Sequence, residues 1–309
     1  MNKIKKNIQR YEKKQEIQSW LLTFPSLVWL SIFFLIPFII IFLYSFFRST
    51  IHGVDHIFTL DSYKEVLSFR YLHAFYNSIR LAIFTTIICI ILGYPTAYFI
   101  ARSSENVKNI LLMLIIIPFW TNLIIRVFAW RIFLAPHGML NTFLLNINLI
   151  DSPIRILRTD LAVLLVTVYV YLPYMILPLY TVIEKMDFRL LEVAKDLGAK
   201  PLTAFLKVTL PLTKPGIFAG TILVFIPAIG SYIVPQVVGS QTSMYIGQVI
   251  TYKVRNIPRD WPVASALSFM LILLICMMLL TFYYLNKKLS NKNLYQDNKS
   301  VLEKKVNAK

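Results

Sequence analysis

The stretch Glu192-Val-Ala194-Lys-Asp-Leu-Gly198-Ala-Lys-Pro201-Leu202-Thr-Ala-Phe205-Leu-Lys-Val-Thr-Leu210-Pro211 is a polar island in an otherwise apolar chain. The island extends from Glu184 to Pro215. It holds six basic residues (Lys185, Arg189, Lys195, Lys200, Lys207, Lys214) and four acidic ones (Glu184, Asp187, Glu192, Asp196). A connection this long in a compact protein usually either folds or works, and its residues predict folding. Asp187 is placed to cap a helix with acidic residues in its early turns. Gly198 sits where a left-handed residue would end that helix. Pro201 suits the first turn of a second short helix, where its missing N–H costs nothing. Leu202, Phe205 and Leu206 give that second helix an apolar face, which asks for a lipid surface or a protein groove.

Outward from the island the chain is built for a bilayer. It is 57% hydrophobic with a mean hydropathy of +0.63, far from a soluble domain, and several uncharged runs are long enough to span. The pattern predicts an all-α, polytopic membrane protein with six transmembrane helices, over residues 20–47, 79–100, 110–133, 161–183, 217–238 and 263–285. Arg126 interrupts the third. The first is too long for a cleaved leader and reads as an anchor. Three regions follow: a basic segment over 1–19, a permeation domain over 20–285 that includes the island, and a Lys-rich tail over 286–309 expected to be solvated and disordered. With both termini inside, 21 of the 32 Lys and Arg lie on the cytoplasmic side. The net charge of +17 thus serves topology and anionic lipid headgroups, not nucleic acid.

The connections carry weaker signals. Ser62-Tyr-Lys-Glu65 has capping-box spacing and predicts a short surface helix, and Asn77 and Ser78 are natural caps for the second span. His52 and His56 have the i,i+4 spacing of helical metal ligands, but Gly53 weakens a helix there and no third ligand is near. Cys89 and Cys276 both fall inside spans and offer no disulfide between the connections. Gly216 and Gly220 form a Gly-x-x-x-Gly, which reads as close helix packing. No Gly-x-x-x-x-Gly-Lys-Ser/Thr occurs, and the spans hold no catalytic triad or carboxylate pair.

The island also resembles a known signature. Glu192, Ala194, Gly198, Leu210 and Pro211 match the Glu-Ala-Ala, three residues, Gly, nine residues, Ile-x-Leu-Pro pattern of binding-protein-dependent ABC importer permeases. Val193 and Val208 are conservative departures from it. Further segments are similar to permeases of spermidine/putrescine importers: Leu92-Gly-Tyr-Pro95, Pro118-Phe-Trp-Thr-Asn122, Ile150-Asp-Ser-Pro-Ile-Arg155, Ile183-Glu-Lys-Met-Asp187 and Arg259-Asp-Trp-Pro262. The likeness covers residues 20–285. It implies a type I importer fold whose island is a cytoplasmic coupling helix docking on a separate ATPase, with Glu192, Ala194, Gly198, Leu202, Phe205, Leu210 and Pro211 as its residues. It also implies a bacterial inner-membrane complex of two ATPase subunits, a second homologous permease and an extracytoplasmic binding protein. No cofactor is then expected on this chain, ATP and Mg belonging to the ATPase.

A polyamine path should offer acceptors and aromatic faces. Tyr169, Tyr171 and Tyr174 in the fourth span and Tyr232 and Gln236 in the fifth supply them, beside Pro173, Pro178, Pro227 and Pro235, which loosen the same helices. One departure stands out. Related polyamine permeases often carry Asp where Gln236 stands, and an amide supplies no charge. Arg80, Arg126 and Arg131 would repel a polycation in the pore and are expected at the outer interface, or paired with a carboxylate such as Asp151 or Asp260. Two alternatives stay open: a permease of the same superfamily for another ligand such as ferric iron or thiamine, and a secondary transporter or channel. The absence of intramembrane Asp or Glu argues against proton coupling in the latter.

Overall fold

The structure is a computed structural model that describes residues 2–50, 53–240, 243–281 and 283–284. Five described helices are long and apolar enough to cross a membrane, and a sharply bent pair makes a sixth crossing if counted as one. The chain divides into two compact units.

The first unit takes the described residues up to Val66 and those from Asn256 onward. Helix α1 (Asn2–Tyr44) runs unbroken through the basic head into the apolar run, whose span-like part is Thr23–Tyr44. Most of its described apolar side chains, such as Trp20, Phe24 and Leu30, are exposed, as expected of a face that meets hydrocarbon. Helix α13 (Trp261–Thr281) lies beside α1, with Phe269 meeting Phe38 and Phe42 at ring separations of 6.3 and 5.1 Å. The first span ends three residues before the expected Phe47, because Phe47 opens an antiparallel hairpin of β1 (Phe47–Thr50) and β2 (Gly53–Phe58). This hairpin is the one β-sheet among the described residues. It puts His56 on a strand rather than a helix, with its ring edge-on to Phe47, while His52 lies outside the described residues. The short helix α2 (Asp61–Val66) forms where the capping-box pattern predicted, but Ser62 is buried inside it rather than capping it.

The second unit, Leu67–Arg255, is a helical core around α7 (Asp160–Glu184), which packs against α3 (Phe69–Arg102) and α10 (Leu210–Ile229). Met175 of α7 is fully buried between glycines of both neighbours. A Cβ at Gly93 of α3 would come 2.9 Å from its Cγ, and one at Gly220 of α10 would come 2.6 Å from its sulfur. A Cβ at Gly216 would likewise come 3.1 Å from the Pro178 carbonyl oxygen, so the Gly-x-x-x-Gly is a packing stripe.

Two expected spans are interrupted. The third breaks into Glu105–Trp120, which comprises α4 (Glu105–Ile116) and a tight turn, and α5 (Leu123–Phe133), bent by 96°. Pro118 sits in the tight turn, and the Asn122 side chain accepts from Ile124 N at 2.8 Å to cap the new helix. Arg126 therefore lies in the first turns of a fresh helix, not deep in a span. The fifth span begins earlier than expected, at Pro201, and ends at Ile229 rather than Val238. After a break at Gly230–Tyr232 the chain forms the short α11 (Ile233–Val238). The remaining described helices are α6 (Met139–Asn146), α8 (Arg189–Asp196), α9 (Pro201–Ala204) and α12 (Ile246–Arg255). Cys89 is buried and Cys276 exposed, so only the first is a packing residue. The tail over 286–309 lies outside the described residues.

Candidate functional site

The island folds largely as its residues dictate. Asp187 accepts from Arg189 N at 3.0 Å and starts α8. At the other end Ala199 N donates to the Ala194 carbonyl at 3.0 Å and Gly198 N to the Lys195 carbonyl at 2.8 Å. These are the two bonds of a Schellman closure, and Gly198 adopts the φ of +83° that the closure needs. Nothing lies within 4 Å of a Cβ added there, so the glycine answers to backbone conformation alone. Pro201 opens α9 as expected.

The second short helix is not separate, which corrects the sequence reading. It continues through a five-residue π-turn (Phe205–Thr209) directly into α10. Its three apolar residues also diverge. Phe205 turns inward, edge-on to Tyr94 of α3 at 5.4 Å, whereas Leu202 and Leu206 stay exposed. Leu210 packs against the core; Pro211 and Glu192 are exposed and Ala194 is half-buried. The segment thus presents an apolar outer surface of Leu190, Val193, Leu197 and Leu202, with Leu197 83% exposed. Its inner side is tied down by the Lys108–Glu184 ion pair at 3.0 Å and by Arg102, whose guanidinium stacks on Phe188 at 5.7 Å.

The five proposed path residues fall into separate environments. Tyr171 donates to the Pro227 carbonyl at 3.2 Å, satisfying an acceptor near the α10 terminus. Tyr174 lies 6.0 Å from the Tyr171 ring and edge-on to Phe119 at 5.0 Å, and is 38% exposed. Tyr169 leaves this group and packs on Trp130 of α5 at 5.3 Å. Tyr232 stands half-buried in the break before α11, and Gln236 is exposed on α11, its N–H bonded to the Tyr232 carbonyl. Tyr232 and Gln236 therefore lie beyond the end of α10 rather than within one continuous fifth span.

A polar cluster went unread in the sequence. Asn77 and Ser78 cap nothing; they lie two turns inside α3, whose N-cap is Ser68. Asn77 Nδ2 donates to the Met244 carbonyl at 3.2 Å, and Ser78 Oγ accepts from Ile246 N at 2.8 Å. Arg80 pairs with Asp160 at 2.7 Å, not with Asp151 or Asp260, and the Tyr245 hydroxyl donates to the other carboxylate oxygen at 3.1 Å. Burial pushes the Tyr245 phenol up, and the Asp160 charge acts in the same direction, so it remains a neutral donor. The available signal was Asn77, Ser78 and Arg80 at one helical end of an apolar run. Arg131 lies over the Phe128 ring at 6.0 Å, and the Arg126 Nε is buried without a hydrogen-bond partner.

Apolar helices packed about α7 and interrupted by one capped, outward-facing polar segment define a multi-pass membrane transport subunit. The chain belongs to the family described as binding-protein-dependent transport system inner membrane component, which matches residues 90–291. It is 42% identical over 268 residues to the spermidine/putrescine transport system permease protein PotB of Salmonella typhimurium, covering 85% of this chain and 93% of that one. With its Escherichia coli counterpart it shares 42% over 265 residues, 85% and 96% of the two chains. Its fold also matches a chain of a bacterial alginate ABC transporter crystallised with an alginate pentasaccharide-bound periplasmic protein. There the TM-score is 0.68 at 16% identity, over 88% of this chain and 94% of that one.

Proposed function

We propose that this chain is a permease subunit of an ATP-driven polyamine importer of the bacterial inner membrane, with both termini cytoplasmic. The observation that carries the ligand class is the 42% identity, over 85% of the chain, to spermidine/putrescine permeases. The chain itself makes and breaks no bonds and holds no cofactor; ATP and Mg act in two separate ATPase subunits. A second permease completes the pore, and an external binding protein delivers the ligand.

The segment over 184–215 is the ATPase docking element, with Glu192, Ala194, Gly198, Leu202, Phe205, Leu210 and Pro211 as its functional residues. Glu192, Leu202 and the exposed leucines meet the ATPase. Ala194 and Gly198 close the helix end, while Phe205, Leu210 and Pro211 join it to α10. ATP hydrolysis biases alternating access only through differential contacts at this segment. Tyr171, Tyr174, Tyr232 and Gln236 line the ligand path, and Tyr169 supports it from behind. Aromatic contact with a partly desolvated ammonium contributes roughly 0.5–2 kcal/mol, so no single ring should be essential.

The test is uptake of spermidine and putrescine by the reconstituted complex. Gln236→Lys should block polycation uptake at normal protein level, and Gln236→Asp should preserve it or sharpen polycation preference. Unchanged uptake in Gln236→Lys removes α11 from the path. No polyamine uptake by the unmodified complex sinks the ligand and favours the neighbouring reading, a permease for another solute, which the missing carboxylate at Gln236 would suit. Cysteine placed at Lys195 should resist labelling from outside; labelling there overturns the orientation.

A further inference from the structure

The π-turn between α9 and α10 is explained by the residues around it. Pro211 lacks an N–H, and its ring would crowd the carbonyl four residues back, so a regular α-turn there would lose a bond and clash. The chain instead widens, and Leu210 N donates to the Phe205 carbonyl five residues back. Widened turns of this kind are frequent at functional positions in helices.

This turn is held by a buried polar chain. Thr209 and Thr213 are buried. Thr213 Oγ1 donates to the Thr209 carbonyl at 2.9 Å and lies 2.9 Å from the Tyr94 hydroxyl of α3. With its own proton directed to the backbone, Thr213 accepts from Tyr94. The order is therefore Tyr94 hydroxyl, Thr213 hydroxyl, then the carbonyl of the last residue of the π-turn. The Tyr94 ring also meets Phe205, the first residue of the turn, at 5.4 Å. One side chain of α3 thus grips both ends of the turn.

We propose that Tyr94 is a positioning residue for transport. It fixes the register of the π-turn, so that displacement of residues 189–204 is carried into α10 and across Met175 to α7 instead of being absorbed in the turn. The inference rests on the proposed docking role of the 184–215 segment. Tyr94 touches neither ligand nor nucleotide; it acts through Thr213 and the turn.

The experiment uses the full reconstituted complex and measures ATP hydrolysis with and without the loaded binding protein. Tyr94→Phe keeps the ring and removes the hydroxyl. Stimulation should fall at least threefold while unstimulated hydrolysis stays within twofold of the unmodified complex. Thr213→Val should reproduce this, and Thr213→Ser should retain full stimulation. Thr213→Val alone orphans the Tyr94 hydroxyl and adding Tyr94→Phe removes it, so a purely structural cost would be relieved in the pair and stimulation restored. Under the positioning role stimulation stays low in the pair. Full stimulation in Tyr94→Phe or Thr213→Val, its recovery in the pair, or failure of both single variants to assemble overturns the proposal. An unmodified complex that shows stimulation but no polyamine uptake refutes only the ligand. An unmodified chain that never recruits the ATPase refutes the docking reading and this inference together.

Discussion

The two ends of α7 carry comparable polar chemistry put to opposite uses. At the Asp160 end the polar groups are consumed internally: Arg80 and Tyr245 share the carboxylate, and Asn77 and Ser78 hold the backbone at Met244 and Ile246. At the Glu184 end the internal bonds, among them Lys108–Glu184, the Asp187 cap and the Tyr94–Thr213–Thr209 chain, fix only the inner side, while Leu190, Val193, Leu197 and Leu202 point outward. The first end is closed by the chain's own fold. The second is shaped but left uncovered, as a surface awaiting a partner is.

That contrast can be broken most forcefully at the exposed leucines. Leu197→Glu with Leu202→Glu should cut ATPase association at least tenfold, a loss of about 1.4 kcal/mol or more, yet leave the thermal midpoint of the isolated chain unchanged. Co-purification and a melting curve decide it; normal association would mean the leucines face lipid only. Gly198→Val comes next. A β-branched residue in the left-handed region costs roughly 1–2 kcal/mol, so docking and stimulated hydrolysis should be largely lost with membrane insertion intact. Because the site has room for a Cβ, the cost is conformational, and Gly198→Asn should recover most of the function. Intact transport in Gly198→Val would sink the docking assignment.

At the closed end the effect should move from partner binding to stability. Asp160→Ala strips Arg80 and Tyr245 of their shared acceptor. Since the Arg80–Asp160 side chains are each 41% exposed, solvent screening trims the loss to about 1–2 kcal/mol. The melting midpoint should drop by a few degrees and ATPase association should hold; the reverse pattern would show that the ends had been misassigned. Lys108→Met should do least. It removes one described ion pair, whereas Asp160→Ala strips two donors of their acceptor at once, so a midpoint drop smaller than that of Asp160→Ala is the expected result; a shift as large would contradict the contrast.

The sequence was most legible where structure is local. A cap, a left-handed glycine and a first-turn proline are decided by backbone chemistry within a few residues, and Asp187, Gly198 and Pro201 behave accordingly. It was least legible where polar residues sit near the end of an apolar run. Asn77 and Ser78 have the composition of caps, but their partners lie about 170 positions away along the chain. The tyrosines of α7 divided for the same reason: helical spacing fixes which share a face, not which neighbour covers that face.

By itself the sequence determined a mostly helical, multi-pass protein, the position of the polar segment and the chemistry of its turns. Apolar run length and short-range hydrogen bonding suffice for these, since neither needs distant contacts. Only the tertiary structure decided that the third span bends by 96°, that the fifth starts at Pro201 and stops at Ile229, and that a π-turn joins segment to span. Each depends on what packs against the chain at that point. Proline and glycine permit a break, but whether the helix kinks, widens or ends is set by which neighbour satisfies the freed backbone groups and fills the space beside them.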